Sequence, residues 1–275
     1  MGKIIDWRLR PPFKTFLGVP LYPNGCQGTM EDVLAEMDAA EVQIGVAPFR
    51  NGMNNADGEE MLKQYGARFR YLAHIDPWAG IEKAAEEIEK YVLNGHASGI
   101  IMEPGQVFIK APVKADDREL MYPIYEICQK RNVLVTITFG GLMAAKLSYY
   151  NPLYIDNLAV DFPKMRLVLA HGGWPHVGEI CHVAYQRGNV YISPDFYLQK
   201  MHPCYKDYVA MANGWLRERV IFGSAYAYGT DLKAIVEEYK TSGLTEQALE
   251  MVLYHNAASL LGIEPQREIK NVLGK

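Results

Sequence analysis

The sequence predicts a single (β/α)8 barrel, and three observations lead there. Eight short runs rich in Val, Ile, Leu and aromatics alternate with amphipathic stretches from one end of the chain to the other. The 275 residues match the length that such barrels reach as one domain, routinely about 250. No internal repeat or linker-like segment divides residues 1–275.

The predicted strands, in order, are Lys3–Trp7, Val42–Phe49, Tyr71–Ile75, Gly99–Met102, Val133–Thr138, Leu167–Ala170, Val190–Ser193 and Val220–Phe222. Each is short and apolar on both faces, as expected where a parallel strand is covered on both sides. Between them, Met30–Ala40 and Gly80–Leu93 place apolar residues three or four apart, with acids and lysines opposite. Arg118–Arg131, Pro152–Asp161, Pro175–Arg187, Asp231–Tyr239 and Glu246–Leu261 read the same way. The rival architecture, a doubly wound open sheet, is weakened because no Gly-x-Gly-x-x-Gly turn follows the first strand. The loop Pro11–Gly28, rich in proline and glycine, is expected to cover part of the barrel mouth, and residues 264–275 to form a loosely held tail.

Composition narrows the function. Hydrophobic residues make up 49 % and charged residues 22 %, which excludes a disordered chain. With 28 basic and 32 acidic residues the net charge is -4, too even a mix for a nucleic-acid footprint. No apolar run approaches the roughly 20 residues that span a bilayer, and the N-terminus lacks a signal peptide's apolar stretch. Cys26, Cys128, Cys181 and Cys204 are scattered and read as core thiols of a reduced compartment. A cytoplasmic protein with no nucleic-acid or membrane partner is expected.

A barrel carries its active site at the C-terminal ends of its strands. The polar residues there are Asp6, Arg8, Arg10, Arg50, Asn51, His74, Asp76, Glu103, Thr138, His171, Asp195, Tyr197, Ser224 and Tyr226.

Several stretches, in order, resemble the amidohydrolase superfamily, in the branch of aminocarboxymuconate decarboxylase-like TIM-barrel hydrolases. They are Ile4-Ile5-Asp6, Ile75-Asp76-Pro77, Leu169-Ala170-His171-Gly172-Gly173, Arg219-Val220-Ile221-Phe222-Gly223-Ser224 and Asn256-Ala257-Ala258-Ser259-Leu260-Leu261-Gly262. The resemblance implies metal ligands as His-x-His after strand one, a His after each of strands five and six, and an Asp after strand eight. This chain has Arg8-Leu9-Arg10, Thr138, His171 and Ala225 at those places. One of five expected ligands remains, so the family's metal site is expected to be degenerate. Arginine offers no lone pair and stays protonated, and two guanidiniums repel a cation. The expectation is therefore no cofactor or, at most, a single divalent metal such as zinc, collected by Glu103, His171 and Asp195.

Arg8 and Arg10 lie two apart on a strand and so share a face, the interior in a barrel. Paired guanidiniums there make a carboxylate clamp, or a fixed positive charge beside a developing oxyanion. Arg50 joins them in this reading, with Glu103 and Asp195 as counter-charges. The plainer alternative is a set of buried ion pairs that only holds the loops.

His171 reads as a general base, because imidazole titrates closest to neutrality. The bland alternative is a histidine bonded to a neighbouring loop. Asp195 either orients it or acts as the base itself, and Glu103 is a second acid/base or an arginine counter-ion. Trp174, Tyr149, Tyr150, Tyr197 and Tyr226 follow predicted strands and suit a planar substrate, a water-excluding lid or a subunit interface. His74, inside strand three, reads as a core histidine.

The leading expectation is a hydrolase of a small anionic organic acid, opening a lactone or other activated carbonyl without the usual metal. A decarboxylase or other carbon–carbon lyase acting on an unsaturated acid is the first alternative. A metal-less pseudoenzyme that binds an anion is the second. The resemblance also implies a homodimer.

Overall fold

A computed structural model describes residues 3–10, 12, 15–16, 19–20, 28–49, 54–226 and 231–265. Seven parallel strands form one sheet in sequential order: β1 Ile4–Asp6, β2 Val42–Pro48, β3 Phe69–His74, β4 Ile100–Met102, β5 Val135–Thr138, β6 Leu167–Ala170 and β7 Val190–Ser193. The predicted eighth strand closes the ring in reduced form. Val220 bridges Ile192 of β7, and the Trp7 amide donates to Phe222 O at 3.0 Å beside β1. A full ladder does not form because the Phe222 amide is diverted to Val252 O. The fold is a single TIM barrel, as the alternation of elements predicts.

Ten α-helical segments are described: α1 Met30–Ala39, α2 Asn55–Tyr65, α3 Ile81–Ile88, α4 Tyr122–Lys130, α5 Leu153–Asp161, α6 Val177–Gln186, α7 Tyr205–Asn213, α8 Leu232–Lys240, α9 Glu246–Glu250 and α10 Asn256–Leu260. Two of these, α2 and α7, were not expected. Helix α2 lacks an apolar stripe because it meets the sheet through Asn55, Gly58 and Met61, one turn apart. A Cβ on Gly58 would sit 2.6 Å from the Tyr71 ring, so the helix packs close by omitting a side chain. Its signal is the cap instead: Asn54 and Asp57 form a reciprocal capping box. Helix α7 starts after Cys204, which has φ 68° and makes no side-chain cap, so the usual start signal is missing.

The core has two layers. Ile5, Trp7, Ile44, Val46, Leu72, Ile101, Leu134, Val168 and Ile221 fill the barrel, and the larger cluster lies between sheet and helices. Trp7 spans the interior, its indole N–H donating to Thr136 Oγ1 at 3.4 Å. The closing Asn-Ala-Ala-Ser-Leu-Leu stretch also has a mechanical role. The Asn256 amide donates to Arg217 O and Val220 O, at 2.8 and 2.7 Å, and ties α10 to the eighth strand position.

Among the described residues no helix is long and apolar enough to cross a membrane. Cys128 and Cys181 are buried as expected, but Cys204 is exposed. Residues 266–275, most of 11–28, and Arg50 and Asn51 lie outside the described residues, so the expected tail, the mouth-covering loop and the role given to Arg50 are not described.

Candidate active site

The chain leaves β1 at Asp6 and turns at once. Leu9 packs outward, within 3.1 Å of where a Cβ on Gly45 would stand, while Arg8 and Arg10 go the other way and are buried. Asp6 pins this turn: its Oδ1 accepts from the amides of Arg8 and Ser224, both at 2.9 Å, joining the ends of the first and eighth strand positions.

Arg8 runs inward to the loops after β6 and β7. Its Nη2 lies 3.4 Å from His171 Nε2, and its Nε lies 3.7 Å from Asp195 Oδ2. His171 Nδ1 stands 2.9 Å from the same carboxylate oxygen, which also accepts the His171 amide at 3.2 Å. Ser193 Oγ donates to the other oxygen, Oδ1, at 2.8 Å. Close approach here depends on Gly223, where a Cβ would stand 2.5 Å from Asp195 Oδ1 and 2.6 Å from Ser193 Oγ. Arg10 turns to the eighth strand's loop, donating through Nη1 to Ala225 O at 2.6 Å and Tyr226 O at 3.3 Å.

Burial and these charges set the protonation pattern. Burial pushes the His171 ring down to about 4, and the positive Arg8 adds to the effect, so the ring is neutral at physiological pH. Burial alone would raise the Asp195 carboxyl, but Arg8 and His171 outweigh it and hold the group below its ordinary value. The consistent arrangement is an ionised Asp195 accepting from His171 Nδ1–H, with the Nε2 lone pair facing Arg8. Asp6 goes the other way. Burial pushes it up to about 6, against hydrogen bonds from Ser224 and the Arg8 amide.

Glu103 follows β4, is 2 % exposed, and accepts from Thr138 Oγ1 at 3.2 Å across to β5. Trp174 stacks on Tyr197 with centroids 4.9 Å apart, and Tyr197 meets His171 edge-on at 5.7 Å. Of the loop aromatics singled out from the sequence, Tyr150, Tyr197 and Tyr226 are fully buried. Tyr197 is instead a wall, its hydroxyl accepting from the Leu142 amide at 3.1 Å and its ring backing His171. His74 is not sealed in the core. It ends β3 half-buried, and Asn55 bonds its main chain at both N and O.

The structure thus brings together Arg8, Arg10, His171, Asp195, Trp174 and Tyr197, and places Glu103 with Thr138. From the sequence, Asp6 and Ser224 stood out as polar strand ends within family-like stretches, with no bond between them expected, and Ser193 and Gly223 were given no role. The Ser193-Pro194-Asp195 spacing was the available signal for Ser193.

A family model described as amidohydrolase matches residues 14–263. The TIM-barrel protein Bb4693 from Bordetella bronchiseptica is 33 % identical, with a TM-score of 0.85 over 94 % of this chain and 98 % of that one. A 2,6-dihydroxybenzoate decarboxylase from Rhizobium aligns at 12 % identity and a TM-score of 0.73, covering 96 % and 99 % of the two chains. A probable 2-pyrone-4,6-dicarboxylic acid hydrolase from Acinetobacter baumannii, solved with citric acid bound, aligns at 13 % and 0.61, covering 95 % and 97 %. At such identities the last two show a shared fold. No curated protein matches the sequence.

Proposed function

Because the chain belongs to the amidohydrolase family, we propose that it is an enzyme that opens a lactone, or another activated carbonyl, of a small carboxylic acid. In this reading fixed guanidinium charge replaces the family's metal. The observation that carries it is Arg8 Nη2 standing 3.4 Å from His171 Nε2. The donor set does not fit a divalent ion. Both ring nitrogens of His171 already face other groups, and two arginines stand where the family resemblance implies imidazoles. Among the described residues no group of three or more His, Cys, Asp or Glu is arranged to hold a metal.

Arg8 and Arg10 supply the charge that draws in the substrate carboxylate and stabilises the oxyanion. A bound anion offsets the Arg8 charge that depresses His171, so the ring becomes more basic when substrate is present. Water then attacks the carbonyl carbon, its proton passes to His171 Nε2, and Asp195 stabilises the resulting imidazolium. The ring C–O bond breaks, and that proton returns to the departing alkoxide oxygen. Asp195 orients and does not act as the base, since both its oxygens accept hydrogen bonds. Glu103 is the second acid/base group, and the Trp174–Tyr197 stack offers a face to a planar ring.

A second reading, decarboxylation, is supported by the 2,6-dihydroxybenzoate decarboxylase from Rhizobium that aligns with 96 % of the chain. The product separates the two. Assays on 2-pyrone-4,6-dicarboxylate and 2,6-dihydroxybenzoate, the compounds for which the two neighbouring enzymes are named, read net proton release against carbon dioxide. Ring opening with one proton liberated supports the hydrolase. Carbon dioxide without ring opening overturns it in favour of the lyase. Tight anion binding with neither product would mark a pseudoenzyme. A cytoplasmic homodimer without nucleic-acid or membrane partners remains part of the proposal.

A further inference from the structure

Three non-glycine residues at successive strand ends hold left-handed backbone: His171 at φ 67°, Asp195 at 55° and Ala225 at 55°. Such backbone is strained for a residue that carries a side chain and persists only where its surroundings impose it. All three turns have a carbonyl clamped by a buried donor. Arg10 takes Ala225 O. Tyr239 of α8 donates its hydroxyl to Asp195 O at 2.7 Å, and Tyr208 of α7 donates to Gly172 O, next to His171, at 3.0 Å. Both tyrosines are fully buried. Burial raises both hydroxyls well above their ordinary value, so they remain donors throughout the working pH range. The Tyr239 ring also lies edge-on to Phe222 at 4.7 Å, fixing it against the eighth strand position.

We propose that Tyr208 and Tyr239 are positioning residues that hold the His171 and Asp195 turns in their left-handed conformation and so keep the imidazole aligned on the carboxylate. They act through the main chain, from helices outside the barrel, and the proposal stands whichever reaction the site performs. Removing either hydroxyl lets its turn relax, and Asp195 Oδ2 then leaves the 2.9 Å contact with Nδ1.

The test is nuclear magnetic resonance of the full chain labelled with 15N-histidine, with His171→Asn identifying the His171 signals. Wild type should show a neutral ring protonated on Nδ1 from pH 5 to 8. Tyr208→Phe and Tyr239→Phe keep the rings and delete only the hydroxyls. Each should move the His171 nitrogen signals and shift the ring's titration midpoint by about 0.5 pH unit or more, leaving the other histidines in place. Tyr125→Phe is the control, since that buried hydroxyl donates to Ala115 O at 2.9 Å outside the site. His171 signals unchanged in both site variants would overturn the proposal, as would an equal change in Tyr125→Phe. Failure of both site variants to fold would also overturn it, because the hydroxyls would then belong to the fold and not to the pair.

Discussion

Replacing Asp6 by Asn should stabilise the protein, and the gain should depend on pH. Asp6 is wholly buried, and burial raises its carboxyl from 3.8 to about 6. A folded value above the unfolded one means that the folded state holds the proton more tightly. The group's contribution is therefore fully present below pH 3.8 and is lost as pH rises through 6. Each unit is worth about 1.36 kcal/mol, so a shift of just over two units costs wild type about 3 kcal/mol at pH 7.5. Asn copies the neutral carboxyl, and its Oδ1 still accepts from the Arg8 and Ser224 amides. Urea unfolding at pH 4 and pH 7.5 reads the difference. The variant should nearly match wild type at pH 4 and exceed it by about 3 kcal/mol at pH 7.5, roughly 6 °C in Tm for a chain of this length. An Asn variant less stable than wild type at pH 7.5, or separated from it by the same gap at both pH values, would refute the reasoning.

Other perturbations have equally definite outcomes. His171→Asn should show the opposite slope: the folded ring titrates at about 4, below its ordinary 6.5, so wild type loses up to about 3 kcal/mol as pH falls through that window and the variant does not. Denaturant midpoints between pH 4 and 7 check this. Gly223→Ala forces a methyl against Asp195 and Ser193 and should destabilise by about 2 kcal/mol or more, visible in thermal unfolding. Arg8→Lys keeps the charge but loses the planar fork, and should lower kcat/KM on the best substrate by about 30-fold or more, with folding unchanged by circular dichroism.

How much of this was legible in the sequence varied with the kind of signal. The buried strands were readable because both faces are apolar: Leu167–Ala170 and Val190–Ser193 match the observed strands end to end. Helix α2 was hidden because it docks through Asn55 and Gly58, residues that carry no hydrophobic periodicity. In the site, Arg8 and Arg10 were expected to share a strand face; the strand ends at Asp6 and both are buried from the turn that follows, so strand alternation is not what brings them inward. The pairing of Asp195 with His171 and with the arginines was readable as an expectation from three strand ends, whereas the Arg8–His171 contact and the bond of Asp6 to Ser224 were not. Such pairs are 24 to 218 residues apart in sequence and meet only when the ring closes. Tyr208 and Tyr239 left no trace, because they reach the site through main-chain carbonyls from helices outside the barrel, one of which, α7, was itself not expected.

The proposed function requires Arg8 and Arg10 to do the electrostatic work that the family resemblance assigns to a metal ion. Turnover of the same protein before and after exhaustive chelation, with metal content measured alongside, tests it most directly. Full activity is expected with far less than one equivalent of metal per chain. Activity that disappears with the chelator and returns with stoichiometric zinc or manganese would contradict it.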